Sequence, residues 1–190
     1  MKELIGTKIA ILVENLFEDL ELLYPKLRMK EAGAEIVLIG PEVGEYKSKH
    51  GYPVKTHHRI QDVKTRDFDA VIIPGGYAPD LMRRHPKMVQ FVRDMCREQK
   101  TVAAICHAGW MLASAAIVEG KRITCWPSIK DDMIHAGARY EDSEVVQDGN
   151  IITSRMPSDL PAFCRTIIES LMRGRAGFVS SEQTRLVAHA

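Results

Sequence analysis

Short runs of consecutive apolar residues alternate along this chain with stretches in which apolar positions recur every three or four residues. Residues 8–14 (Lys-Ile-Ala-Ile-Leu-Val-Glu), 35–40 (Glu-Ile-Val-Leu-Ile-Gly), 69–74 (Asp-Ala-Val-Ile-Ile-Pro) and 101–106 (Thr-Val-Ala-Ala-Ile-Cys) are runs of the first kind. They predict strands covered on both faces, because a strand with one wet face alternates apolar and polar residues. Leu20, Leu23, Tyr24 and Leu27 repeat at helical spacing and predict a helix that buries this stripe and closes at Gly33. A second helix over about 86–98 carries Val89, Val92 and Cys96 on one face, and a third starts at Ala108, directly after a strand. Residues 122–126 predict a further strand and 128–136 a short helix. Asp148-Gly149-Asn150 reads as a hairpin turn inside 144–155. Ser158 or Asp159 caps a last helix with Leu160, Phe163, Cys164, Ile167, Ile168 and Leu171 on one stripe. Residues 41–69, with Gly44, Gly51 and Pro53, are polar and irregular, as loop or short antiparallel pieces are.

Such alternation of strand and helix predicts a mostly parallel α/β sandwich with helices on both faces of the sheet. Ligands bind such sheets at the carboxyl ends of the strands. Residues 14–19, 75–80 and 106–109 lie at three of those ends and are expected to converge in one crevice.

The length of 190 residues fits one domain, 1–172, followed by a tail, 173–190. Weak periodicity in the tail predicts loose packing or a reach towards a neighbouring subunit. A net charge of +1 with scattered Lys and Arg offers no basic face for nucleic acid, and favours a small-molecule or peptide substrate. No run approaches a membrane span and no secretory signal opens the chain, which places the protein in the cytoplasm. The four cysteines (96, 106, 125, 164) lie far apart without a C-x-x-C pair, so neither a zinc site nor a disulfide framework is expected. No metal and no cofactor is expected. Cys96 and Cys164 read as structural and Cys125 as ambiguous.

Cys106 is different. It ends a strand, small residues follow at Ala108 and Gly109, and a helix begins, which is the pattern of a nucleophile elbow. The turn lifts one side chain out of the sheet and aims backbone N–H groups at the same point. Cysteine is the most nucleophilic side chain near neutral pH, and a helix start favours its thiolate. Gly75-Gly76 allows close backbone approach, so the N–H groups of Gly76 and His107 are candidate donors to an oxyanion. His107 is a candidate general acid or base if a carboxylate orients it, and Asp80 is the candidate orienter, with a helix N-cap as its alternative. Glu18 reads as a helix-start carboxylate unless its side chain meets Cys106.

The chain resembles the PfpI family, within the superfamily of intracellular cysteine peptidases, protein deglycases and glutathione-independent glyoxalases. The matching segments are 14–22 (Glu-Asn-Leu-Phe-Glu-Asp-Leu-Glu-Leu), 49–53, 73–80, 104–109, 127–137 and 153–163 (Thr-Ser-Arg-Met-Pro-Ser-Asp-Leu-Pro-Ala-Phe), spanning about residues 8–172. The resemblance implies a flavodoxin-like three-layer sandwich that assembles as a homodimer or higher oligomer with a shared active site. It assigns the nucleophile to Cys106 and the catalytic histidine to His107. It maps the acid touching Cys106 to Glu18, and the histidine's carboxylate, supplied by the neighbouring subunit, to Asp80. Several relatives carry Glu at the Asp80 position and Gly-Pro where this chain has Ala108-Gly109. The implied activity is cysteine-dependent hydrolysis of α-oxoaldehyde (methylglyoxal-type) adducts, as a deglycase or glyoxalase, or of peptides. Its substrate would be a small aldehyde or a glycated protein or peptide.

Two rival classes are separable. A glutamine amidotransferase of this fold needs a distant His-x-Glu pair, and the histidines at 50, 57, 58, 85, 135 and 189 provide none. A non-catalytic redox sensor or chaperone would need only an oxidisable Cys106 and would work without His107.

Overall fold

A computed structural model describes the backbone of residues 2–187 and the side chains through Gly174. The apolar runs form strands: β1 (Lys8–Leu12), β2 (Glu35–Gly40), β6 (Ala70–Ile73) and β7 (Thr101–Ile105). Shorter strands are β3 (Glu45–Lys47), β4 (Pro53–Lys55), β5 (His58–Arg59), β8 (Arg122–Ile123), β9 (Arg139–Tyr140), β10 (Val145–Asp148) and β11 (Ile151–Ser154). The helices are α1 (Asp19–Glu31), α2 (Ala78–Met82), α3 (Pro86–Arg97), α4 (Gly109–Ser114), α5 (Lys130–His135) and α6 (Leu160–Val187).

The main sheet has the order β10-β11-β7-β6-β1-β2-β5, parallel at each pairing except β10 with β11. Every residue of β6 and β7 is buried, as the unbroken apolar runs require. Helices α1 and α6 pack together, while α4 packs against α2, α3 and α5. This is the α/β flavodoxin-like sandwich anticipated above.

Residues 45–55 form a small antiparallel hairpin, β3 with β4, one of the short antiparallel pieces expected over 41–69. Two expectations change. Residues 122–126 do not join the main sheet: β8 pairs in parallel with β9, and Thr124 ties the segment to β11 by donating its backbone N–H to Thr153 Oγ1 at 2.9 Å. The second change concerns α1, whose inward face is Glu21, Leu22, Pro25 and Met29, whereas Leu20 and Leu27 are 53% and 63% exposed and Tyr24 38%. Helical spacing marks two possible faces here, and the buried one is chosen by positions 21, 25 and 29. The expected stripe, Leu23 apart, faces outward. The tail expectation concerns side chains outside the described residues; the helical backbone of α6 continues through Val187.

Thr153 Oγ1 accepts the buried N–H of Thr124 and donates to Val146 carbonyl at 3.4 Å. Replacing it by the isosteric Val strands that N–H without a partner, so Thr153→Val is expected to cost about 1–3 kcal/mol in denaturant unfolding. A loss below about 0.3 kcal/mol would show that the segment is held by packing alone.

Candidate active site

At the carboxyl end of β7 the chain makes a sharp elbow. Ile105 ends the strand in extended conformation, Cys106 takes φ 62°, and one short turn over Cys106–Ala108 leads into α4. The left-handed conformation is strained for any residue with a Cβ, so its presence at a cysteine marks a position held by its surroundings. Strand pairing fixes one side of the elbow and the buried Ala108, Gly109, Met111 and Leu112 fix the other.

The adjoining loop after β6 supplies the glycines. A Cβ on Gly75 would fall 2.5 Å from Glu21 Oε2 and 2.7 Å from Cys106 Cβ, and one on Gly76 would fall 2.5 Å from the Glu18 nitrogen. Both positions exclude side chains so that three loops can meet. The N–H groups of Gly76 and His107 bear on the Cys106 sulfur and favour its anion.

The carboxyl against the thiol is Glu21, not Glu18. Glu21 is fully buried and accepts the Gly75 N–H at 2.7 Å through Oε2. Its Oε1 is buried with no N–H or O–H partner, and the group it faces is the Cys106 thiol. Glu18 sits at the start of α1 and forms an ion pair with Lys49. The spacing explains the difference: residue 21 lies in the first turn of the helix, in phase with the buried Pro25 and Met29, while residue 18 precedes that turn. The available signal was a carboxylate in phase with the buried positions of its helix.

Burial pushes the Glu21 carboxyl up to about 7, against the Gly75 N–H and with help from the charge of Glu18. Burial, followed by the charge of Glu21, also pushes the Cys106 thiol up. A buried carboxyl and thiol in contact cannot both ionise, so the pair titrates as one unit that retains a proton through neutral pH. With the proton on Glu21, the sulfur anion receives the two backbone N–H groups and the carboxyl O–H.

His107 reaches the sulfur from the other side, Nδ1 at 3.2 Å from Sγ. Its Nε2 lies 3.3 Å from Ser128 Oγ, and the rings of Trp110 and Trp126 flank it at 5.2 and 6.1 Å. Burial and the charge of Lys49 push its pKa down, which favours the neutral imidazole. Asp80 does not meet it within the chain. That residue is exposed, lies inside α2 rather than at its N-cap, and is absent from the cavity wall.

A cavity of about 540 Å³ opens above the thiol, lined by Glu18, Lys49, Tyr77, His107, Trp126 and Ser128 among others. Lys49 and Ser128 lie in segments that carried the family resemblance and Trp126 directly precedes one, but nothing in residue type or spacing gave them a role. A larger cavity, about 930 Å³, lies at the opposite end of the sheet beside Thr7, Thr101 and Asn150, and among the described residues no cysteine or histidine lines it. Glu18, Asp19 and His50 bring one donor atom each within 4.8 Å. Lys49 already holds Glu18, while Ser48 and His50 hold Asp19 at 2.6 and 2.7 Å.

The raised Glu21 pKa makes a stability prediction. Between about 4.5 and about 7 the folded protein holds a proton that the unfolded chain has lost, so stability falls as pH rises through that window. The loss is on the order of 3 kcal/mol, and Glu21→Gln is expected to remove it, so that the unfolding free energy no longer falls between pH 5 and 7.5. Equal slopes in both proteins would show that Glu21 titrates as an ordinary carboxylate.

Comparison with known proteins agrees with this geometry. The DJ-1/PfpI family model matches residues 7–170. "Deglycase PfpI" of Pyrococcus furiosus is 44% identical over 164 residues, covering 86% of this chain and 99% of the relative. "Protein/nucleic acid deglycase 2" of Escherichia coli is 39% identical over 167 residues, covering 86% and 97%. A two-domain Anabaena variabilis protein with DJ-1/ThiJ/PfpI-like and ferritin-like domains superposes with a TM-score of 0.86 at 41% identity. That alignment covers 87% of this chain, which spans 48% of the two-domain protein. The elbow cysteine and the sheet that presents it therefore sit in a chain that belongs to the DJ-1/PfpI family.

Proposed function

We propose that this chain is a cysteine-dependent hydrolase acting on α-oxoaldehyde adducts, as a deglycase or glyoxalase, with Cys106 as nucleophile. The observation that carries the reading is the Cys106 elbow: a left-handed cysteine whose sulfur meets two backbone N–H groups and the buried Glu21 carboxyl. Relatives that cover 86% of the chain are named deglycases, which supports the substrate class. A cavity of about 540 Å³ suits a small molecule or a single modified side chain better than an extended peptide.

In the reaction proposed, the Cys106 thiolate adds to the electrophilic carbonyl carbon. An S–C bond forms and the charge moves to the oxygen, which the N–H groups of Gly76 and His107 receive. Glu21 holds the proton that the thiol gave up. His107, neutral and within reach of both sulfur and cavity, moves a proton to the leaving group.

The site is shared between subunits in this proposal. Among the described residues of one chain the Nε2 of His107 finds only the Ser128 hydroxyl, so in this proposal the orienting carboxylate, Asp80, comes from a second copy. The outward apolar face of Leu20, Tyr24 and Leu27, with Leu16 and Tyr77 also exposed, supports association of this kind. No described helix is long and apolar enough to cross a membrane, in keeping with the proposed cytoplasmic setting.

Cys106→Ser is expected to lower turnover of methylglyoxal-modified arginine by at least about a thousandfold while the protein still folds. Replacing Cys96, Cys125 or Cys164 by Ala should retain most activity, and a fluorogenic peptide should turn over poorly beside the adduct. Comparable turnover by Cys106→Ser would contradict the assignment. Asp80→Ala and Cys106→Ala, each inactive alone, are expected to regain activity when mixed under conditions of subunit exchange. No regain despite exchange would contradict the shared site.

A further inference from the structure

Acidic groups gather at one cavity. Glu18, Glu21 and Cys106 all face it, and His107 is neutral. Among the described residues lining the cavity, Lys49 is the one permanent cation. Its ammonium pairs with Glu18 and acts electrostatically on Glu21, Cys106 and His107.

Lys49 is held in place by the backbone. Its N–H donates to the Phe17 carbonyl at 3.0 Å, and Leu16 N–H donates to the Lys47 carbonyl at 2.7 Å. Lys47 N–H donates in turn to Asn15 Oδ1 at 3.0 Å. The buried Ser48 hydroxyl donates to Asp19 at 2.6 Å and accepts the Tyr52 N–H at 2.9 Å. Phe17 also bridges to Gly76, and Tyr77 N–H donates to the Leu16 carbonyl at 2.9 Å. One segment, 15–18, thus fastens the loop that carries the cation and the loop that carries an oxyanion donor. The lysine's stem starts from a fixed point beside the nucleophile.

We propose that Lys49 is a positioning residue for the nucleophile: its ammonium is the counter-charge that lets Cys106 hold negative charge inside the cavity. Glu18 limits that effect by pairing with the same ammonium. The inference rests on reading Cys106 as the nucleophile, and it gives Glu18 a role without contact to the sulfur. The groups facing Lys49 are Glu18 and Glu21 from α1 and its approach, and Cys106 and His107 from the elbow. Asp19 and His50, the next charges outward, are paired with each other at 2.7 Å. An attractive charge in the same cavity shifts a thiol by about one pH unit, and removing the competing carboxylate acts in the opposite sense.

The test is the pH profile of Cys106 alkylation by iodoacetamide, followed on the Cys106 peptide by mass spectrometry in the absence of substrate. Lys49→Met is expected to move the midpoint up by about one unit, slowing alkylation near pH 6.5 about tenfold. Lys49→Arg should stay within about twofold of the original protein, and Glu18→Gln should move the midpoint down. A purely structural role predicts instead lower unfolding temperatures with unmoved midpoints. Unmoved midpoints in all three variants, or Lys49→Met and Glu18→Gln moving together, would overturn the proposal. Should Lys49→Met fail to fold, the direction of the Glu18→Gln shift decides alone. The readout is independent of turnover, so active Cys106→Ser would overturn the nucleophile assignment without touching the alkylation result.

Discussion

A carboxyl and a thiol buried against each other, unable to ionise together, are the constraint around which the rest of this site is arranged. Neither group tolerates ionisation of the other at close range in a poorly solvated setting. Glu21 Oε2 has the Gly75 N–H, but Oε1 has no N–H or O–H donor, so the proton shared with Cys106 satisfies an otherwise orphaned buried oxygen. The arrangement needs Gly75, because any side chain there would displace both partners. It also needs the left-handed Cys106, because an extended backbone would carry the sulfur along the strand and away from α1.

The fold supplies these requirements from elements far apart in sequence. Parallel pairing of β1, β6 and β7 brings three loops to one end of the sheet. Helix α1 turns Glu21 inward at the same level, and Phe17 laces the first loop to the second through its bridge to Gly76. Because strands and loops are packed without slack, the strain at Cys106 is borne by buried neighbours on both sides. The outer face of α1 is the complement of this inward turn. Presenting Glu21 to the site leaves Leu20, Tyr24 and Leu27 outside.

Much of this was legible in the sequence. Four continuous apolar runs announced a parallel sheet, since only strands covered on both faces dispense with polar residues. The strand-to-helix turn at Cys106 announced the elbow, and Gly75-Gly76 a close approach. The phase of α1 was not legible in the same way. Its outward stripe is as apolar as its inward one, and only the packed sheet reveals that positions 21, 25 and 29 face the interior. The same ambiguity set Glu18 in place of Glu21, three residues apart on one helix start. Residues 122–126 misled for a different reason: an apolar run of that length closes a main-sheet edge as readily as it makes a two-residue bridge to β9. Lys49 stood in a segment that carried the resemblance, but no spacing rule ties a lysine on one loop to a cysteine more than fifty residues later.

The central claim, that Glu21 keeps a proton beside Cys106 where ordinary carboxylates have lost theirs, is open to infrared spectroscopy. At about pH 6 nearly every exposed Asp and Glu is ionised, so a protonated carboxyl band comes from a buried acid. The account predicts such a band in the native protein, its absence in Glu21→Gln, and a shift when Cys106 is alkylated. A native spectrum at pH 6 without a protonated carboxyl band, or one identical in Glu21→Gln, would contradict it.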